Sequence, residues 1–157
     1  MNRYEYYIPV LRNNIAMLES LIGAVEKPSE PRGPEHWSIA QHLAHIASTQ
    51  EMLFHRLEAF LENERPRFVP FFPEDEGPDK SGQPVEVLLN EFAEWRRKQI
   101  EIIEGAGEEI WQREADHPEY TRYGFEILVR HIALHDYFHM YRMEELWNTR
   151  DEYLTLL

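Results

Sequence analysis

Apolar side chains recur along this chain at intervals of three and four residues, the period at which a helix returns to one face. Ile8, Leu11, Ile15, Leu18 and Ile22 form one such stripe and predict a first helix from roughly Arg3 to Val25, with Pro9 marking a kink or a later start. A proline-rich connection, Lys27 to Pro34, follows. Ser38 with Gln41 three residues on is a capping-box pattern, so a second helix opens there. Its stripe is Ile39, Leu43, Ile46, Leu53, Leu57 and Phe60, and it ends near Asn63.

Residues 64–83 break the period with prolines and glycines, yet carry Phe68, Phe71 and Phe72. A long loop with aromatic side chains packs on the body, as a lid over a site or as a plain crossover. A third helix starts near Pro84 and runs through Val87, Leu88, Phe92, Trp95, Gln99, Ile102 and Ile103 to Gly105. A short turn at Glu108 to Arg113 and an irregular stretch, Ala115 to Tyr123, lead to a last helix over Gly124 to Trp147. The tail from Arg150 to Leu157 reads as an extra turn or an oligomer contact. No strand alternation stands out. The expectation is an all-α chain, a four-helix bundle with one long crossover, filling residues 1–157 as a single domain.

Composition narrows the function. Sixteen basic residues against 29 acidic ones give a net charge of −13, which repels phosphate backbones and anionic membrane surfaces. Neither nucleic acid nor membrane is an expected partner, and a small-molecule substrate is. There is no cysteine, so disulfides, thiolate catalysis and cysteine-ligated metal sites are excluded. The first residues lack a basic segment followed by an apolar stretch, and the cytoplasm is the default location.

Eight histidines are the candidate chemistry. The last helix reads His131-Ile-Ala-Leu-His135-Asp-Tyr-Phe-His139. Residues four apart lie one turn apart on one face, so His135 and His139 are placed to grip a single metal. The same spacing occurs in the zinc-binding helix of many metalloproteases, with Asp136 here where the glutamate would follow. A helical wheel sets Ile127, Leu134 and Phe138 on one side of the apolar arc and Leu128 and Leu146 on the other. The three histidines then point inward. Buried imidazoles need polar partners, and a metal ion supplies one to all. On the second helix the wheel favours His42 over His45 as a further ligand. His36 and His55 read as helix-start or surface residues and His117 as a loop residue, without roles. Arg142 shares the inward face, to bind a substrate carboxylate or to pair with a bundle glutamate. Asp136, Glu144, Glu145 and Tyr141 are acid–base candidates, none of which stands out.

Two elements of the chain resemble the DinB/YfiT-like family of small metalloproteins, whose name does not refer to the DNA polymerase. One is a Trp-Ser pair opening a helix with a histidine eight residues after the tryptophan, here Trp37-Ser38 and His45. The other is a His-x-x-x-His pair on the last long helix, here His135 and His139. The resemblance implies a four-helix bundle holding one divalent metal, zinc or nickel, on His45, His135 and His139. That choice overrides the wheel's preference for His42, which stands where the family more often has an aliphatic residue. His42 or His131 is then a fourth ligand or a supporting partner. The resemblance further implies a metal-dependent hydrolase or a transferase using a low-molecular-weight thiol, and a homodimer, for which Tyr4, Tyr6, Tyr7, Trp147 and Tyr153 are candidate interface residues. The alternative is a metal-binding or stress-related bundle without turnover.

Overall fold

A computed structural model describes residues 4–148, with Pro73 described for its backbone alone. Four long helices dominate: α1 (Tyr7–Ala24), α2 (Ile39–Glu62), α3 (Val85–Gly105) and, after a four-residue helix α4 (Glu108–Trp111), α5 (Phe125–Trp147). Pro9 sits in the first turn of α1, where its missing N–H is no loss, and the helix begins at Tyr7 rather than near Arg3. At the start of α2 the capping box forms as expected. The Ser38 hydroxyl accepts from the Gln41 N–H at 3.2 Å, and the Gln41 side chain accepts from the Ser38 N–H at 2.8 Å.

One expectation fails in part. The stretch read as irregular is a β-hairpin, β1 (Glu114–His117) and β2 (Tyr120–Gly124), paired antiparallel with Ala115 opposite Tyr123 and His117 opposite Tyr120. Strands of four and five residues are too short for alternation to stand out in sequence. The hairpin closes tightly on the short helix: the Phe125 N–H donates to the Arg113 carbonyl at 3.0 Å, and a Cβ at Gly124 would meet that same oxygen at 2.7 Å.

Helix α1 packs against α3 and α5, and α2 packs against the same two. The consecutive helices α1 and α2 therefore lie across a diagonal of the bundle, and α2 and α5, which carry the candidate histidines, are neighbours. The long crossover does pack on the body. Its Phe68 N–H donates to the Asp116 carbonyl at 2.9 Å, and the Phe68 ring sits 5.5 Å from Phe60 and 5.9 Å from Tyr123.

The apolar core is divided in two. One cluster gathers Tyr7, Leu11, Leu57, Phe60, Ile103, Trp111, Phe125 and Ile132 at the hairpin end. The other gathers Leu18, Leu43, Ile46, Phe92, Met140 and Met143. Each fully buried side chain of this size adds about 1.5–3 kcal/mol. Between the clusters, at the middle of every long helix, the inward positions are polar: Asn14, Gln50, Arg96, Gln99 and Asp136 are all fully buried. Arg96 grips both oxygens of Asp136, at 2.5 and 3.2 Å, and Asn14 donates to the same carboxylate at 2.8 Å. Gln50 accepts from Arg96 Nη2, which also reaches Asp136, at 2.8 Å, and Gln99 accepts from Arg96 Nε at 2.9 Å.

The wheel for α5 needs correction. Leu134 and Phe138 are 56% and 59% exposed, and the buried arc runs through Leu128, Ile132, Asp136, His139 and Met143 instead. Asp136, not an apolar residue, marks the inward face at mid-helix. Tyr4 and Tyr7 are buried in the core and unavailable for an interface, whereas Tyr6 and Trp147 are exposed. Tyr153 and the tail 150–157 lie outside the described residues. Among the described residues no helix is long and apolar enough to cross a membrane.

Candidate metal centre

The spacing of α2 and α5 brings three imidazoles together. His45 projects from the second turn of α2, and His135 and His139 project from successive turns of α5. One ring nitrogen from each lies within 4.8 Å of the other two. The Nε2 atoms of His45 and His135 face each other at 3.1 Å. Ring centroids are 5.1 Å apart for His45 and His135, and 4.6 Å for each of the other pairs. Trp37, just before the Ser38 cap, lays its indole over the group, 5.1 Å from His45 and nearly parallel to His139 at 6.1 Å. The Trp-Ser pair thus has two physical jobs: the serine starts the helix, and the tryptophan covers the histidines.

Each ring of the trio has a different environment behind it. The His45 Nδ1 is 2.6 Å from a carboxylate oxygen of Glu76, which ends a 3-10 turn (Pro73–Glu76) in the crossover. Gly77, at φ 79°, lets the chain reverse there, a conformation that a side chain would strain. The His139 Nδ1 meets the His42 Nδ1 at 2.8 Å. The His135 Nδ1 is buried and has no hydrogen-bond partner among the described residues. Burial, and then the neighbouring positive groups, hold these rings in the neutral form: His135 is lowered to about 4, His42 to about 4 and His139 to about 2. Neutral imidazoles with converging lone pairs are what a divalent metal requires.

His42 and His45 are therefore both at the site, in different positions. His42 is the more deeply buried, as the wheel expects, but it stands behind His139 rather than in the trio. His131, one turn before His135, lies outside the trio, with its ring 5.5 Å from Tyr120. His55 is exposed and paired with Glu58 at 2.9 Å, and His36 is half-buried near Trp37. His117, read as a loop residue, is instead buried in β1 and faces a cavity.

The acid–base candidates also sort themselves. Asp136 is fully buried in its ion pair with Arg96, out of contact with solvent. Glu144 and Tyr141 are exposed. Glu145 is buried, with one oxygen 3.5 Å from Arg142. Arg142 makes that ion pair and also borders a cavity of about 300 Å³ beside His42 and His139. Sequence reasoning missed Glu76, which no periodic pattern marks because it sits in the crossover.

The sequence pattern of the DinB superfamily matches residues 11–143. The chain belongs to the DinB superfamily. Among solved structures it is similar to YfiT from Bacillus subtilis, described as a probable metal-dependent hydrolase with an unusual four-helix bundle topology. The two superpose with a TM-score of 0.84 at 17% identity, over 96% of this chain and 89% of that one, which is a likeness of fold. No curated protein matches the chain.

Proposed function

We propose that this DinB-superfamily chain is a divalent-metal-dependent enzyme acting on a small molecule, with His45, His135 and His139 as the ligands and zinc or nickel as the metal. The convergence of three buried or half-buried imidazoles, one nitrogen of each within 4.8 Å of the others, carries this reading. The donor set fits: two Nε2 atoms at 3.1 Å crowd their lone pairs unless a proton or a cation lies between them. Three protein ligands would hold a Lewis acid with a coordination position left open for water or a thiol.

The chain's own residues then do the rest. Glu76 accepts the Nδ1 hydrogen of His45 and fixes which nitrogen faces the trio. His42 does the same for His139. Trp37 shields one side from water, and a cavity of about 260 Å³ opens beside His45 and His135 on another. That opening supports turnover over a purely metal-holding role. The description of YfiT supports the hydrolytic form of the reaction, and the thiol-transferase form is the competing chemistry.

The test is metal content. Protein purified without added metal, or reconstituted with zinc or nickel, should hold close to one ion per chain by mass spectrometry. His45→Ala, His135→Ala and His139→Ala should each lose it while staying folded by circular dichroism. A parent that takes up no metal overturns the proposal. Loss of metal in His42→Ala but not in His45→Ala would replace the trio with the one the wheel favours.

A further inference from the structure

The cavity beside His45 and His135 has a chemistry of its own at its far end. Along α2 its wall is made by His45, Thr49, Met52 and Arg56, spaced at four, three and four residues, so one face of the helix lines it throughout. Eleven residues separate His45 from Arg56, three turns or about 16 Å of helix. On α5 the matching wall is His135, His131 and Leu128. The groove between the two helices is closed at the Arg56 end by the hairpin, through His117, Tyr120 and Tyr123, and Phe71 of the crossover also borders it.

Its middle is apolar: Met52, Leu53, Leu128 and Phe71. Its far end offers hydrogen-bond donors. Arg56 is held by the Val69 carbonyl at 2.7 Å, by the Tyr123 hydroxyl and by the Phe68 ring beneath it, and it makes no ion pair with a carboxylate among the described residues. His117 accepts the Glu119 N–H on Nδ1 at 3.3 Å, so the neutral ring carries its hydrogen on Nε2. Of the two acids at the wall, Glu76 is taken by His45, and Glu119 is exposed and unpaired with Arg56. In a chain with net charge −13, a half-buried guanidinium left without a carboxylate at the end of an apolar groove is an unmet demand for an anion.

We propose that Arg56, with His117 and His131, forms a subsite for the carboxylate of a small apolar acid, whose other end extends along the groove toward His45 and His135. The proposal rests on the metal-centre reading only for what happens at that other end. Burial, and then the Arg56 charge, keep His117 less basic than usual, which leaves it a neutral donor at pH 7. The substrate class is thereby narrowed to molecules with a carboxylate several bonds away from the reacting group.

Titration of the full chain with hexanoate and with hexanamide, in metal-depleted and zinc-loaded forms, tests this by calorimetry and by the histidine ring signals in NMR spectra. In the metal-depleted form a carboxylate has no metal to bind, so hexanoate should shift His117 and His131 and bind at least tenfold more tightly than hexanamide. Arg56→Gln should weaken hexanoate at least tenfold in both forms, and Arg56→Lys less. Because Arg56 also steadies the crossover, His131→Leu is the second variant, expected to weaken hexanoate severalfold with the arginine in place. Equal binding of acid and amide, shifts confined to His45 and His135, or affinity unmoved by either variant overturns the subsite. Metal content on the same samples keeps the two readings apart. Arg56-dependent binding in a chain that takes no metal sinks the metal centre and keeps the subsite, and the opposite pair of results does the reverse.

Discussion

Two buried polar groups sit side by side in this bundle and are built on opposite principles. Asp136 and His135 are consecutive residues of α5, one fully buried and the other half-buried. Asp136 finds its answer inside the chain: Arg96 supplies the countercharge, Asn14 a further hydrogen bond, and Gln50 and Gln99 accept from two more guanidinium N–H groups. That network ties all four long helices together. His135 faces the His45 ring at 3.1 Å, and its buried Nδ1 has no hydrogen-bond partner among the described residues. A chain able to satisfy a buried aspartate so fully has left three imidazoles converging on each other. The difference separates a polar layer closed by its own partners from a cluster of imidazoles that could hold a metal ion.

The closed network gives the largest expected effect. Arg96→Met leaves Asp136 buried without its partner and should cost about 3–5 kcal/mol in urea unfolding. Asp136→Leu with Arg96→Met removes both charges and should recover most of that loss. If the single and double variants are equally unstable, the network is not acting as a charge pair. The open site should behave in the reverse sense, gaining stability from an added ligand. Zinc at a thousandfold excess over its dissociation constant should stabilise the parent by about 4 kcal/mol, and should leave His139→Ala unchanged in thermal unfolding. Equal stabilisation of both would place the ion elsewhere.

These two regions were unequally legible in the sequence. The bundle was, because Ile39, Leu43, Ile46, Leu53 and Leu57 keep a helical period and Ser38 with Gln41 marks a helix start. The polar layer left a signal that hydrophobic stripes pass over. Asn14 falls between Leu11 and Leu18, Gln50 between Ile46 and Leu53, and Arg96 between Phe92 and Ile100, each at an inward position. Polar residues in register on every helix point to a shared network. The wheel of α5 went astray for the same reason, since it sought an apolar centre where Asp136 sits. His135 and His139 were legible from their spacing. His45 was not, because the wheel favours the more buried His42 and only the Trp-Ser resemblance points past it. Glu76 and His117 were invisible, since a crossover and an eleven-residue hairpin carry no period, and their place near the site is set by tertiary packing.

Acid sharpens the contrast. In the metal-free chain the unfolded histidines titrate near 6.5, whereas folded His135 and His42 are lowered to about 4 and His139 to about 2. Above pH 6.5 all are neutral in both states and nothing is lost. As pH falls below 6.5 the unfolded chain takes up protons that the folded site refuses, so stability declines toward pH 4, and further toward 2 for His139. Between pH 7 and pH 5 a single ring of this kind should cost about 2 kcal/mol. Asparagine at position 135 should flatten that part of the profile in urea unfolding. A profile identical to the parent's would mean that the folded ring accepts its proton freely.

The smallest effect expected concerns what stands behind the ligands. A ring that donates its second nitrogen to an acceptor is held in one tautomer and one orientation, and is a more basic ligand for it. His45 has a carboxylate in that place, His139 has another imidazole, and His135 has no partner there among the described residues. A carboxylate carries full charge, whereas His42 offers only a lone pair and is itself kept neutral by burial. Glu76→Gln should therefore weaken zinc binding by about tenfold, the low end for loss of a supporting partner, and His42→Leu by less. His42→Leu also leaves the buried His139 Nδ1 without its partner, so the metal-free protein should lose about 1 kcal/mol. Competition for zinc against a chromophoric chelator reads the affinities, and thermal unfolding of the metal-free forms reads the stability. If Glu76→Gln leaves the affinity unchanged while His42→Leu abolishes it, then His42 is itself a ligand, and the ion sits between α2 and α5 one turn earlier on α2 than the trio places it.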